Sequence, residues 1–512
     1  MTQELFSYLY GMFVRKKPNK SGVVSVQVIA KIEGKSKLIK TMGSSRDENT
    51  IEALTQKGQQ YIATFGGQTA LDFSDETRLI QSAFQQIDSH TEIGTELLLG
   101  KIFNDVGFNI IDDSLFRQLV LSRLTYPVSK LKTSNYLEKY HDLQYPVQQI
   151  YRYMDKLHST PKELVQQISY AHTKHVLEGQ VTIVFYDVTT LYFEIDHEDT
   201  LRKTGFSKEG KHQNPQIVLG LLVSRNGYPL AYDIFEGNKF EGYTMLPILD
   251  TFKEKYKLEQ LVIIADSGLL SNANIEDLQE KGYEFILGAR IKNEKKQIQE
   301  QILALHLKNG ESAVIEKDGL KLIITYSDKR AKKDSQNREK GLRKLEKRIK
   351  TGKLTKSNIN NRGYNKYLKM DGEVNIEIDY TKYNADAAWD GLKGYISNAM
   401  LGKDEIIENY GHLWQIEKAF RISKTDLKIR PIYHRAQRRI EAHICISFVA
   451  YKIYKELERQ LKKLNSKLSP EKAIEIAKTI YQVKATIKGK SVAQILLINE
   501  EQRQLAQLFN LG

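Results

Sequence analysis

Val181-Thr-Ile-Val-Phe-Tyr-Asp187 is an apolar, β-branched run closed by an acid, and Leu261-Val-Ile-Ile-Ala-Asp266 repeats the pattern. Both have the length and composition of buried strands. Between and around them the chain keeps a strand-like period over 180–186, 216–224, 228–236, 260–265 and 283–288. Asn226-Gly227 separates the second and third of these and is a strong hairpin signal. Helical periodicity fits 243–255 and 272–281.

The resulting order, β-β-β-α-β-α-β, predicts an α/β fold: an RNase H-like catalytic core, a mixed sheet with flanking helices. Outward from it, residues 1–90 read as a small N-terminal β-sheet plus a helix, and 91–178 as a helical, candidate DNA-binding region. The core spans 179–290 and 393–464, a β-rich insertion occupies 291–392, and 465–512 reads as a C-terminal helical tail. Within the helical region, 129–140 and 147–157 are joined by His141-Asp-Leu-Gln-Tyr-Pro146. Two helices and a turn, the second carrying Tyr151, Arg152 and Lys156, fit a helix-turn-helix or an ordinary helical hairpin.

The chain of 512 residues carries a formal net charge of +14, which favours a polyanionic partner, nucleic acid before anionic membrane. Basic runs occur at Lys329-Arg-Ala-Lys-Lys333 and Arg343-Lys-Leu-Glu-Lys-Arg-Ile-Lys350. Each is either a DNA contact or a solvated helix face. No stretch approaches the roughly 18–20 apolar residues of a membrane span, and no signal pattern opens the chain. Cys445 is the sole cysteine, which excludes an intrachain disulfide and a thiolate zinc site. The expected location is cytoplasmic, in a bacterial cell and associated with the nucleoid.

Two strand-borne aspartates on a rigid sheet, followed by a late helical glutamate, have the makings of a two-metal site. Such a site activates an attacking oxygen and stabilises a leaving one in phosphodiester cleavage. Magnesium suits it, taking oxygen ligands and leaving room for substrate phosphate, with Mn2+ as a substitute. Alone, each aspartate also reads as a turn or cap residue, as in Asp266-Ser-Gly268. The glutamate is Glu417, in Tyr410-Gly-His-Leu-Trp-Gln-Ile-Glu-Lys-Ala-Phe-Arg-Ile-Ser-Lys424. At about 100° per residue, Leu413, Ile416, Phe420 and Leu427 form an apolar stripe. Tyr410, Trp414, Glu417, Arg421 and Lys424 form the adjoining face. There the acid can reach metals, the bases phosphates, and Trp414 a nucleobase. His412 and His434 read as surface histidines before phosphate or base contacts; Arg435, Arg438 and Arg439 read as DNA backbone contacts or solvated surface.

The spacing of Tyr410, Glu417 and Lys424 resembles the Y-x2-R-x3-E-x6-K signature of IS4-type DDE transposases. The text around Glu417, together with Tyr186-Asp-Val-Thr-Thr-Leu-Tyr-Phe-Glu194 and Gln216-Ile-Val-Leu-Gly-Leu-Leu222, is similar to the IS1634 group of those enzymes. The resemblance implies an RNase H-like domain split by an insertion, with Asp187, Asp266 and Glu417 as the metal-binding catalytic triad. It implies two Mg2+ ions and cut-and-paste transposition: nicking, hairpin formation and opening, then strand transfer. It also implies a homodimer synapsing terminal inverted repeats before joining them to target DNA. Tyr410 and Lys424 map onto phosphate contacts, and Trp414 onto an aromatic beside a flipped base. Leu413 replaces the signature arginine, and Arg421 is the candidate substitute. The alternatives are an RNase H-like nuclease without strand transfer, and a decayed or domesticated protein that only binds DNA.

Overall fold

The computed structural model describes residues 11–32, 34–63, 84–157, 161–179, 181–195, 197–207, 210–269, 271–352, 354–360, 363–371, 375–487 and 490–511. The chain divides into two compact units, Met1–Asp88 with Lys484–Val492, and Ser89–Val483 with Ala493–Gly512. In the first, β1 (Met12–Pro18), β2 (Val24–Ile32) and β3 (Lys35–Ser45) form an antiparallel sheet. Helix α1 (Glu48–Ala63) packs on it over a small core that includes Val26, Val28 and Ile51.

The second unit begins with helices that include α2 (Ser114–Thr125), α3 (Lys130–His141), α4 (Val147–Leu157) and α5 (Pro161–Val176). Its sheet is built from β4 (Ile183–Tyr192), β5 (Gln216–Ser224), β6 (Pro229–Glu236), β7 (Val262–Ala265) and β8 (Glu284–Ala289). Helices α6 (Met245–Tyr256) and α7 (Asn272–Glu280) intervene. Next come β9 (Ser312–Lys317), β10 (Leu320–Tyr326), α8 (Asp328–Lys350), β11 (Leu368–Asp371), β12 (Asn375–Ile378) and β13 (Leu392–Ser397). The unit continues with α9 (Lys403–Gly411), α10 (Trp414–Thr425) and α11 (Gln437–Lys463).

Eight strands join in the order β9-β10-β13-β8-β7-β4-β5-β6. β4, β7 and β8 are mutually parallel in the centre, and β5 and β6 extend one side antiparallel. This is the mixed sheet of an RNase H-like core. The β5–β6 hairpin turns at Asn226-Gly227, with Gly227 at φ 80°. Side chains alternate between two cores. On one face Phe185, Leu191, Val262, Ile264 and Ile286 join residues of α2, α10 and α11. On the other Val184, Tyr186, Ile263, Phe285 and Leu287 meet α6 and α7.

Three expectations change. Asp187 does not end its strand: β4 runs to Tyr192 because Val188-Thr-Thr-Leu-Tyr is itself β-forming and pairs with β5 throughout. The interruption at 291–392 is not wholly separate, because β9 and β10 are paired to the core sheet through β13. Their hairpin turns on Asp318-Gly319, both at positive φ. The remainder, α8 with the β11–β12 hairpin, has a small core of Leu345, Tyr367, Leu368 and Ile378. Finally, 465–512 is not wholly helical: Tyr481–Ile487 and Lys490–Leu496 are strands, rich in Val, Ile and Thr.

Helices α3 and α4 do form the expected helical pair. Ile150, Met154 and Leu157 bury one side of α4, which packs against α11, while Arg152 and Lys156 remain exposed. Among the described residues no helix is long and apolar enough to cross a membrane.

Candidate active site

Register and alternation place the acids. β4 and β7 are aligned with Tyr186 beside Ala265, so Asp187 and Asp266 follow as the next residues on neighbouring parallel strands. β7 stops there while β4 continues, which leaves Asp187 half-buried at the notch and Asp266 exposed. Asp187 shares the parity of Phe185 and Leu191, and Asp266 that of Val262 and Ile264, so both belong to the face covered by α10. Helix α10 packs on β4 and β5 through Ile416 and Phe420, and Glu417 is exposed beside that contact. The backbone N–H groups of Val188 and Ser267 donate to their preceding carboxylates at 2.8 and 2.7 Å, fixing both side chains locally.

Tyr410 is buried rather than presented to solvent, and its hydroxyl donates to Asp266 Oδ1 at 3.4 Å. Burial and then the Asp266 charge raise its hydroxyl pKa above the ordinary tyrosine value. The approach is possible because β8 carries Gly288, where a Cβ would sit 2.5 Å from the Tyr410 hydroxyl and 3.0 Å from the Ser267 nitrogen.

The helix expected around Glu417 is broken. Leu413 N–H bonds Tyr410 C=O and Ile416 N–H bonds Leu413 C=O, a tightened i→i+3 pattern between α9 and α10. Tyr410 therefore lies on α9 and Glu417 on α10, not on one continuous face. The apolar stripe does exist: Leu413, Ile416, Phe420 and Leu427 are all buried. Leu413, standing where the signature has arginine, is a core residue. Trp414 is 49% exposed, with the Lys418 ammonium 5.9 Å from its ring centre. Arg421 is exposed and Lys424 half-buried.

Sequence reasoning passed over Lys393. It stands half-buried on β13, with its ammonium 4.5 Å from the Tyr410 ring centre and 5.2 Å from that of Tyr395. Burial and Arg330 pull its pKa down, while Asp266 and Glu417 pull it up, so all four act on one volume. With Ser267, Arg290 and Arg338 these bases line a cleft of about 560 Å3 running from the Asp266 end of the sheet to α8. Arg338 is tied to Asp390, whereas among the described residues the Arg290 guanidinium reaches the Gly268 carbonyl, at 3.4 Å, and no carboxylate. A single Lys inside Leu392-Lys-Gly-Tyr-Ile396 gives no motif, and only strand pairing brings it to the acids.

The other sequence candidates lie apart from the triad. Tyr151 and Arg152 are on α4, and Arg435 is exposed ahead of α11. Arg438 and Arg439 are both bound to Asp155. His434 is half-buried rather than fully exposed, with its ring against those of Tyr151 and His443.

Three carboxylates directed to one sheet face offer hard oxygen donors suited to a divalent cation. Among the described residues no three ligating side chains are closed into one metal-holding cluster.

Residues 182–453, more than half the chain, match the Transposase DDE domain family. No curated protein matches the chain. Solved structures are similar only remotely. A piggyBac transposase synaptic complex with hairpin DNA is 8% identical, with a TM-score of 0.39, covering 77% of this chain and 80% of that one. A Mos1 transposase paired-end complex with the left transposon end is 13% identical, with a TM-score of 0.16, covering 45% and 71%. The matched span begins one residue ahead of β4 and ends beyond Glu417, so it encloses all three acids: the chain belongs to the Transposase DDE domain family.

Proposed function

We propose that this transposase cuts its own element at terminal inverted repeats and joins the freed ends to target DNA, as an IS4-type enzyme of the IS1634 group. The observation that supports the chemistry is the placement of Asp187 and Asp266 directly after matched residues of neighbouring parallel strands, on the sheet face against which α10, the helix of Glu417, packs. These three would hold two Mg2+ ions, or Mn2+ in their place, which when bound polarise the scissile phosphate and the attacking oxygen. The residues around them have separate tasks. The Tyr410 hydroxyl orients Asp266. Lys393 and Arg330 supply positive charge where the attacked phosphate gains negative charge. Half-exposed Trp414 offers a face on which an unpaired base stacks. Arg421 and Lys424 on α10, Tyr151 and Arg152 on α4, and Arg435 extend the DNA contacts.

Water first attacks the phosphorus at the element end and frees a 3′-hydroxyl. In the hairpin route that hydroxyl attacks the opposite strand, the hairpin is reopened, and the same 3′-hydroxyl then attacks target DNA. Two protomers synapsing two ends would place both cuts in one assembly.

Asp187→Asn tests the assignment. Mg2+-dependent cleavage of a duplex bearing the element end should fall by about three orders of magnitude, matching the several kcal/mol that metal ions contribute, while binding persists. Unchanged cleavage would overturn the triad. Strand transfer into plasmid then separates the readings: cleaved ends that never join would mark a nuclease.

A further inference from the structure

Behind α10 lies a second cluster of charge, of opposite sign. A cavity of about 220 Å3 is lined by Arg123, Lys130, Lys428, Arg430, His434 and His443, with Tyr151 and Tyr433 at its walls. Arg123 and Lys130 are only 5% and 4% exposed. Arg123 donates to His443 Nδ1 at 3.2 Å, and His443 Nε2 donates to the Ile429 carbonyl at 2.9 Å. The imidazole is thereby fixed as a neutral acceptor, and nothing in it offsets the guanidinium charge. Among the described residues no hydrogen bond or ion pair reaches the Lys130 ammonium. Asp155 is the carboxylate that acts on this cluster, and it is engaged by Arg438 and Arg439. Lys130 is also the first residue of α3, so the helix N-terminus, capped by Ser129, faces the same cavity.

A lysine only 4% exposed, with no carboxylate paired to it among the described residues, is costly to hold charged, and a leucine would fill the position without that cost. Its surroundings register the strain: burial and Arg123 hold Lys130 well below the ordinary lysine value, and burial with Lys130 and Arg123 holds His434 at about 3. Two buried cations, a neutral histidine pair and a helix N-terminus around one cavity form a site for an anion.

We infer that this cavity binds a phosphate group, presented by a DNA strand or free in solution. Position favours the strand. The Arg430 guanidinium lies 6.0 Å from the ring centre of Tyr192, the last residue of β4. Asp187 is five residues earlier on that strand, about 17 Å away at the usual rise. That is about five base-pair steps along a duplex. A strand cut at Asp187 would therefore have a backbone phosphate within reach of the cavity. The DNA source rests on the transposase reading; the phosphate site itself does not.

The test uses the full chain with two variants. Lys130→Met removes the buried charge, and Lys428→Ala changes only the exposed rim, so it leaves the core intact. Inorganic phosphate should raise the melting temperature of the wild type and shift that of Lys130→Met much less. Lys130→Met alone should melt higher than the wild type, because an uncompensated buried charge is gone. With duplex DNA, each variant should bind about 10- to 100-fold more weakly, as expected on loss of a charged hydrogen bond. Its salt slope should flatten by about 0.9. Loss of the phosphate shift together with the slope change assigns the site to DNA backbone. Loss of the phosphate shift alone assigns it to free phosphate. Wild-type phosphate shifts and wild-type salt slopes in both variants would overturn the site. Asp187→Asn should leave both readouts unchanged, so failure of the catalytic reading and failure of this one are distinguishable.

Discussion

The two charged sites of the large unit are built on opposite logic. The carboxylates sit at the rim of a sheet, with Asp266 and Glu417 exposed and Asp187 half-buried. In the second cluster Arg123 and Lys130 lie almost without solvent at the inner wall of a cavity whose rim, at Lys428 and Tyr433, is exposed, and no carboxylate lines it. Open acids suit an ion that must be exchanged and a substrate that must enter. Buried bases suit one fixed phosphate, gripped in place of water. In the proposed reading, chemistry and grip are separated along β4 and the α10–α11 connection.

The largest effect that bears on this contrast is on the acid side. Asp266→Asn should reduce cleavage by about three orders of magnitude, as metal-dependent stabilisation of several kcal/mol is lost. It should leave the salt dependence of DNA binding at the wild-type slope. A flattened slope in Asp266→Asn would mean that the acids also set the grip, and the division of labour would fail.

A smaller effect probes how the acid site is held. Gly288→Ala places a methyl group 2.5 Å from the Tyr410 hydroxyl, so either Tyr410 or β8 must move, and Asp266 loses its donor. Cleavage should fall by about 100-fold, the cost of roughly 1 Å of misplacement, with DNA affinity unchanged. Tyr410→Phe gives the decisive comparison, since it removes the same donor: it should lower cleavage about as far as Gly288→Ala, and the double variant should fall little further. If Tyr410→Phe cleaves at the wild-type rate, the glycine acts through β8 and Ser267 and not through Tyr410.

Much of the acid site was legible in the sequence because each acid marks a pattern. Asp187 and Asp266 follow β-branched runs, and Glu417 lies beside a stripe at helical spacing. What escaped has a physical reason in each case. The α9–α10 break is made by i→i+3 bonds around His412 and Leu413, which neither composition nor periodicity announces. Lys393 reaches the acids only through the pairing of β13 with β8, a contact more than a hundred residues apart in sequence. The cation cavity draws on 123–130, 428–434 and 443, and every contributor alone resembles an ordinary helix or loop residue. His434 illustrates this, polar in text yet packed against Tyr151 and His443.

The smallest expected effect concerns the one acid at the edge of the cation cluster. Arg439 and Arg438 hold the Asp155 carboxyl at about 2, below the ordinary aspartate value of about 3.9. A carboxyl lowered on folding stabilises the fold above its unfolded pKa, and loses that contribution as pH falls toward the folded one. The window is therefore about pH 4 down to about pH 2. Asp155→Asn should lower stability by about 1 kcal/mol or less at neutral pH, since water screens a pair this close to the surface. In urea titrations the gap between wild type and variant should hold from pH 7 to pH 5 and narrow by pH 3, at roughly the values linkage sets. The same substitution releases Arg438 and Arg439 beside the cavity, so DNA binding should tighten modestly and its salt slope steepen. Stability and grip then move in opposite directions from one change. A stability gap that stays constant down to pH 3 would show that the arginines do not hold this carboxylate. A loss of DNA affinity would show that Asp155 organises the basic cluster instead of opposing it.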